Sequence, residues 1–280
     1  MKIAVYAIAL NEEQFVKSWY ESAKDADYLL IADTGSKDAT VKKAKALGIH
    51  VIEIGISPWR FDDARNASLA AIPLDIDMCI ALDMDEVLLP GWRKKLEKIK
   101  EATTRPRYNY TWNWNADGSP GLTYGGDKIH ARRGYRWKHP VHETLKSINE
   151  VQEWIELEIH HHADDTKSRA QYGPLLALSV AEDPLDDRNA FYYARELYFT
   201  GENEKAAAEF KRHLALPKAT WGPERAASLR YLAKVEPENA ETYLLDAIAA
   251  APGRREALLD LATHYQITKR WYESLSCANR

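Results

Sequence analysis

Asp83, Asp85 and Glu86 place three carboxylates within four positions, directly after the apolar run Met78–Ala81. Carboxylates resist burial unless a partner or a ligand compensates them. An Asp-x-Asp pair where a strand ends can offer two oxygens to one divalent cation. Mg²⁺ and Mn²⁺ accept such a set, often completing it with substrate phosphates. A solvated acidic turn produces the same pattern, so context has to decide. Two further clusters share that context. Asn11-Glu12-Glu13 follows the apolar segment 2–10, and "DTGSKD" (33–38) follows "DYLLIAD". The plain reading of the second is a turn in which Ser36 or Asp38 caps the next helix. A cap does not prevent Asp33 from accepting hydrogen bonds from a bound base or ribose.

The elements that must position these clusters alternate in type. "KIAVYAIAL", "DYLLIAD", "HVIEIGI" and "DMCIALDMD" read as strands. "EEQFVKSWYESAKDA", "DATVKKAKALG" (ending on Gly48) and "FDDARNASLAAI" read as helices between them. Continuous apolar strands alternating with helices predict an α/β fold with a mostly parallel sheet covered on both faces. In such sheets ligands bind at the carboxyl ends of the strands, which is where the three polar clusters fall. They are predicted to face one crevice. Residues 104–162 change character: "YNYTWNWN", a turn at "ADGSPG" and a further short strand read as hairpins, and "EWIELEIHHH" reads as a strand. In the last segment Leu157, Ile159 and His161 share one face, and Glu156, Glu158 and His160 the other. From residue 164 the pattern is helical. Pro184, Pro217 and Pro252 are 33 and 35 residues apart, and a period near 34 residues with two helices each is the tetratricopeptide spacing. The expected domains are 1–163 and 164–280.

"ALNEE", "ADTGSKDAT", "FDDARNASL" and "ALDMDEVLLP", in this order, resemble the family-2 glycosyltransferases of GT-A fold. The resemblance is strong over residues 1–92. It continues through "GYRWKHPVHETL" and "EIHHHADD" to a subgroup with a helical-repeat extension. It implies a Rossmann-like nucleotide-sugar domain and metal-dependent transfer of a sugar, with inversion, from a nucleoside diphosphate sugar to an acceptor hydroxyl. Ala9, Asn11 and Glu12 would line the nucleotide pocket. Asp33 would read the base, with Ser36 and Asp38 in the same loop. Arg65 would approach the nucleotide or diphosphate, a helix-surface pair with Asp62 being its plainer role. Asp83 would contact the ribose or the metal's water shell, and Asp85 would bind Mn²⁺ or Mg²⁺ directly. A late histidine ligand is expected from 160–162, His161 first and His160 next, the rival reading being a solvated loop. For the general base the family often supplies an acid after the metal motif. That acid is missing here, and Glu143 takes the role, with His142 orienting it or the diphosphate. Glu143 paired with Arg133 or Arg136 is the structural alternative.

The bulk numbers, 45% hydrophobic and 29% charged, are ordinary for a soluble globular protein. Net charge is −4 over 280 residues, which gives no global nucleic-acid footprint. The basic stretch "KIHARRGYRWKH" allows three local readings: donor phosphates, a charged sheet edge, or phosphates of a nucleic-acid acceptor. Cys79 and Cys277 have no metal-type spacing and indicate no disulfide framework, so a reducing cytosol fits. The first apolar run is too short for a signal peptide, and no run reaches the ~20 apolar residues of a membrane span. The acceptor is open between a glycan, a protein, a lipid-linked intermediate and a modified nucleic acid, and the repeats are a surface for an acceptor or a protein partner. Two rivals compete. A nucleotidyltransferase would want a Gly-rich phosphate loop that "ALNEE" lacks. An inactive transferase-like scaffold would not need Asp33, Asp83 and Asp85, all of which are present.

Overall fold

The computed structural model describes residues 1–164 and 171–278. The chain divides into two compact units, Met1–Lys167 and Ser168–Arg280.

The first unit opens with β1 (Ile3–Ala9), α1 (Val16–Ala23), β2 (Tyr28–Asp33), α2 (Thr40–Ala46), β3 (His50–Glu53), α3 (Phe61–Ala71) and β4 (Met78–Ala81). It continues with β5 (Glu86–Leu88), α4 (Trp92–Leu96), β6 (Arg105–Thr111), β7 (Thr123–Gly126), β8 (Ile129–Ala131), β9 (Arg136–Lys138), β10 (Thr144–Lys146) and β11 (Gln152–His161). The main sheet runs β3-β2-β1-β4-β8. Its first four strands are parallel, and β8 closes the edge antiparallel to β4. β1 and β4 are apolar without alternation because both sheet faces are covered. The order puts β1 between β2 and β4, so the loops carrying Asn11, Asp33 and Asp83 leave one edge of the sheet side by side.

Two tryptophans fix that edge from below. Trp19 on α1 is fully buried and donates from Nε1 to the carbonyl of Leu82, at 3.0 Å, one residue before Asp83. Trp92 donates to the carbonyl of Ser22 at 2.9 Å, tying α4 to the end of α1.

A second sheet has the order β5-β11-β6-β7. The region expected as hairpins forms two of them, β6–β7 and β9–β10. β11, however, pairs parallel with β6 and antiparallel with β5. Alternation predicts which side chains of a strand share a face, and it is right here: Leu157, Ile159 and His161 are buried. It carries no information on the partner strand, which is why the long-range parallel pairing was not legible. The β11–β5 register sets His161 opposite Glu86, bringing the histidine run to the acidic turn.

The second unit is helical among its described residues: α5 (Tyr172–Glu182), α6 (Asp187–Phe199), α7 (Asn203–Ala215), α8 (Gly222–Val235), α9 (Ala240–Ala250), α10 (Glu256–Ile267) and α11 (Trp271–Ala278). Pro184, Pro217 and Pro252 each fall between helices, and each interval between them holds two. Small residues carry the packing, among them Ala194, Ala206, Ala226, Ala247 and Ala257, all buried. No helix among the described residues is long and apolar enough to cross a membrane.

Candidate active site

The loops after β1 and β2 are stitched together. Asn11 takes a left-handed conformation, φ 56°, which Asn tolerates better than most residues. Its amide donates to Ser36 Oγ at 2.8 Å, and its Oδ1 accepts from Lys37 N at 2.8 Å. Glu12 N donates to Thr40 Oγ1, and Glu13 N to Asp38 Oδ2. The Ala9 carbonyl accepts from both the amide and the hydroxyl of Thr34. Neither capping candidate is the N-cap of α2, which is Ala39: Asp38 accepts from Thr40 N beside it, and Ser36 serves the Asn11 loop. Asp33 Oδ2 accepts from the amides of Gly35 and Ser36, each at 3.0 Å. That turn needs Gly35 at φ 112°, a conformation open to glycine and costly for side chains. Asp33 Oδ1 is buried and has no hydrogen-bond partner among the described residues. A buried carboxylate oxygen without a protein donor is open to a donor from water or a ligand.

On the other side of β1, Asp83 sits between two cations. Arg65 Nη2 reaches its Oδ1 at 2.8 Å, and Lys128 Nζ its Oδ2 at 2.7 Å. Burial would raise the Asp83 carboxyl, but Arg65 and Lys128 outweigh it and hold the group well below the usual carboxylate range. Lys128 also binds Glu86 Oε1 at 2.6 Å, where the Tyr110 hydroxyl donates as well, at 2.6 Å. Burial pushes Glu86 up despite Lys128, while Asp83 and Glu86 overcome burial to push Lys128 up.

Arg65 extends the network: its Nε donates to Glu143 Oε1, and its guanidinium stands 5.0 Å over the Trp137 ring. Both carboxylates overcome burial to keep it protonated. α3 is aligned for this by Asn66, which exchanges two hydrogen bonds with the backbone of Trp137. Asp62 is not the partner of Arg65; it pairs with Arg60 at 3.0 Å. Nor does Glu143 pair with Arg133 or Arg136, since the ion pair it forms is to Arg65. Arg65 Nη1 is buried with no hydrogen-bond partner among the described residues, a donor that complements the free acceptor on Asp33. His142, next to Glu143, is half-buried with φ 51°.

Asp85 and His161 meet at 3.4 Å, Nε2 to Oδ2. His161 Nδ1–H donates to the carbonyl of Trp112 at 2.9 Å, and the imidazole stacks on the Trp112 ring at 4.4 Å. Burial lowers the His161 pKa, but Asp85 and the Trp112 carbonyl raise it by more. A backbone acceptor on Nδ1–H is the arrangement that aims Nε2 at a metal. One carboxylate oxygen and one imidazole nitrogen suit Mn²⁺ or Mg²⁺ when phosphate oxygens and water complete the shell. No group of three or more His, Cys, Asp or Glu side chains among the described residues is placed to hold a metal alone. His160 lies on the other face of β11, with Glu158 at 3.5 Å. His162 stacks on Trp114.

Sequence reasoning missed Lys128 and Tyr110, and it named Glu86 in the acidic cluster without giving it a role of its own. Lys128 was visible only as the first residue of a basic stretch. Its neighbours have other uses: Arg132 and Arg133 bind the carbonyls of Ile72 and Leu74, and His130 is buried against Tyr6.

No protein-family model and no curated protein matches this chain. Solved structures of glucosyl-3-phosphoglycerate synthase from Mycobacterium tuberculosis are similar to parts of it. The complex with Mn²⁺, UDP and glucosyl-3-phosphoglycerate is 26% identical over 39% of this chain and 44% of its own, with a TM-score of 0.32. The complex with Mg²⁺ and UDP is 16% identical over 64% of this chain and 77% of its own, with a TM-score of 0.45. This chain thus spans less than half the length of the first of these structures.

Proposed function

We propose that this chain is a metal-dependent, inverting glycosyltransferase that moves a sugar from a nucleoside diphosphate sugar to an acceptor hydroxyl. The observation that carries the reading is two buried polar atoms without hydrogen-bond partners among the described residues, Asp33 Oδ1 and Arg65 Nη1. They stand on elements flanking the carboxyl ends of β1, β2 and β4, beside the acids of residues 83–86. A ligand with a hydrogen-bond donor at one end and an anionic group at the other satisfies both; a base or ribose linked to a diphosphate has that form.

In this reading Asp33 Oδ1 accepts from the base or ribose, with Ala9, Asn11, Glu12, Ser36 and Asp38 shaping the pocket. Arg65 donates to the diphosphate. Asp83, fixed by Arg65 and Lys128, orients the ribose side and holds Arg65 in place. Asp85 and His161 would hold Mn²⁺ or Mg²⁺, which, when bound, neutralises the diphosphate leaving group. Glu143 takes the proton of the acceptor hydroxyl, with His142 beside it. Its pair with Arg65 keeps the carboxylate oriented. Residues 1–163 form the transferase domain and 164–280 a tetratricopeptide-like domain gripping an acceptor or partner protein.

Release of nucleoside diphosphate from a panel of sugar donors, UDP-glucose among them, tests this. Release should require Mn²⁺ or Mg²⁺ and should fall at least a hundredfold in Asp85→Ala. Release that ignores both changes would sink the assignment.

A further inference from the structure

The helical unit contains a cavity of about 280 Å³ lined from α6, α8 and the start of α10. Its charges balance. Arg230 pairs with Asp260 at 2.6 Å, and Arg254 with Glu256 at 3.3 Å. Arg188 and Glu224 remain, one of each sign, and no ion pair joins them among the described residues. The Arg188 guanidinium lies 4.7 Å from the Tyr192 ring centre, and its Nε is buried without a hydrogen-bond partner among the described residues.

Glu224 is only 8% exposed. The titratable group set against it is His213, Nε2 to Oε2 at 3.8 Å, which is beyond hydrogen-bond reach. That Nε2 is itself buried without a hydrogen-bond partner among the described residues, while Nδ1 meets the Ser228 hydroxyl at 2.9 Å. A buried carboxylate and a buried guanidinium nitrogen in this state are open to a ligand that both donates and accepts. Trp221 also lines the cavity, and it is 61% exposed.

We infer that this cavity is a binding site for a neutral hexopyranose ring. Each sugar hydroxyl donates and accepts at once. Neighbouring hydroxyls can therefore give to Glu224 and take from Arg188, in hydrogen bonds that the protein charge strengthens. The C–H face of the ring packs on the exposed indole of Trp221, a side chain suited to sites that are apolar on one side and wet on the other. The balanced lining disfavours a ligand with net charge of either sign. The volume falls just below the range of about 300–1,000 Å³ of sites for drug-sized ligands, so it suits one ring rather than a chain. The inference does not rest on the transferase reading, since its site is confined to the helical unit and its test reads binding.

The test is saturation-transfer NMR on the full chain, without nucleotide, titrated with the methyl glycosides of glucose, galactose and mannose. Glucuronate, glucosamine and leucine are the anionic, cationic and zwitterionic controls. At least one glycoside should bind with a Kd of about 1 mM, as expected of so small a ligand, and more tightly than all three controls. Trp221→Ala should weaken it about tenfold or more, whereas Trp221→Phe, which keeps a flat apolar face, should retain most of the binding. Glu224→Gln keeps the shape of the side chain and should cost several-fold, so it decides the matter even where Trp221→Ala does not fold. Equal binding by Glu224→Gln or Trp221→Ala and the parent chain places the sugar elsewhere and overturns the inference. So does failure of the parent to bind any of the glycosides, or tighter binding of a control.

Discussion

Tyr6→Phe removes one oxygen from the centre of the first unit, and its consequence can be worked from the contacts. The Tyr6 hydroxyl accepts from Trp137 Nε1 at 2.8 Å and donates to His130 Nε2 at 3.0 Å. His130 Nδ1–H donates in turn to the Ala131 carbonyl at 2.8 Å. This chain is complete only when His130 is neutral. Tyr6, His130 and Trp137 are each at most 3% exposed, so water cannot replace the hydroxyl without rearrangement. Phenylalanine keeps the ring but leaves one donor and one acceptor orphaned, at about 1–3 kcal/mol each. A loss of about 2–6 kcal/mol follows for the pair. It should lower the melting temperature of the first unit by several degrees, at roughly 2–4 °C per kcal/mol for a unit of this size.

The same chain sets a pH dependence. Burial, aided by Arg105 and Arg132, outweighs the Ala131 carbonyl and brings the His130 pKa from 6.5 down to about 4. The unfolded chain therefore binds the proton first as pH falls. Stability from this group is intact above pH 6.5 and is lost progressively down to pH 4, by about 3 kcal/mol. Urea unfolding of both proteins, followed by tryptophan fluorescence between pH 4 and 8, reads both effects. A Tyr6→Phe protein within 0.5 kcal/mol of the parent at pH 7.5, by the usual scatter of such measurements, would refute the claim that the hydroxyl completes a closed chain.

Other changes test other contacts. Gly35→Ala forces a side chain into φ 112° and should cost about 1–3 kcal/mol, with nucleotide binding weakened because the Asp33 turn shifts; calorimetry and denaturant midpoints separate the two. Asp33→Asn retains an oxygen for the Gly35 and Ser36 amides but cannot present a second acceptor, so nucleoside diphosphate affinity should fall about tenfold or more while the melting temperature stays close to the parent's. Arg65→Lys cannot bridge Asp83 and Glu143 while donating to a third group; turnover should fall by at least tenfold, and failure to do so argues against an anion contact at Arg65. Gly222→Ala places a methyl group against the Ala250 carbonyl and should lower the melting temperature of the helical unit by several degrees with donor binding unaffected.

The sequence announced the strand–helix alternation because continuous apolar strands and helical spacing are local signals. The position of Asp33, Asn11 and Asp83 at adjacent strand ends followed from that alternation. The charge network did not. Nothing local links Arg65 to Glu143, which lies 78 residues away, or Lys128 to Asp83, and the plausible near neighbour Asp62 turned out to belong to Arg60. Glu86 looked like the tail of an acidic turn. It is instead 1% exposed, because β11 returns to cover it and Tyr110 and Lys128 compensate its burial. The opening acidic cluster thus splits by role: Glu86 is buried against Lys128 and Tyr110, Asp83 is held between Arg65 and Lys128 at the surface of the site, and Asp85 is paired with an imidazole through a single 3.4 Å contact.

The most direct test of the central claim is a thermal-shift titration of nucleoside diphosphates, UDP and GDP first, with and without Mn²⁺, on the parent chain and on Asp85→Ala. A ligand that binds only the folded state raises the melting temperature with its concentration. The account predicts a rise for at least one diphosphate that depends on Mn²⁺ in the parent and disappears in Asp85→Ala. No rise with any diphosphate in the presence of metal, or an equal rise in the variant, would contradict it.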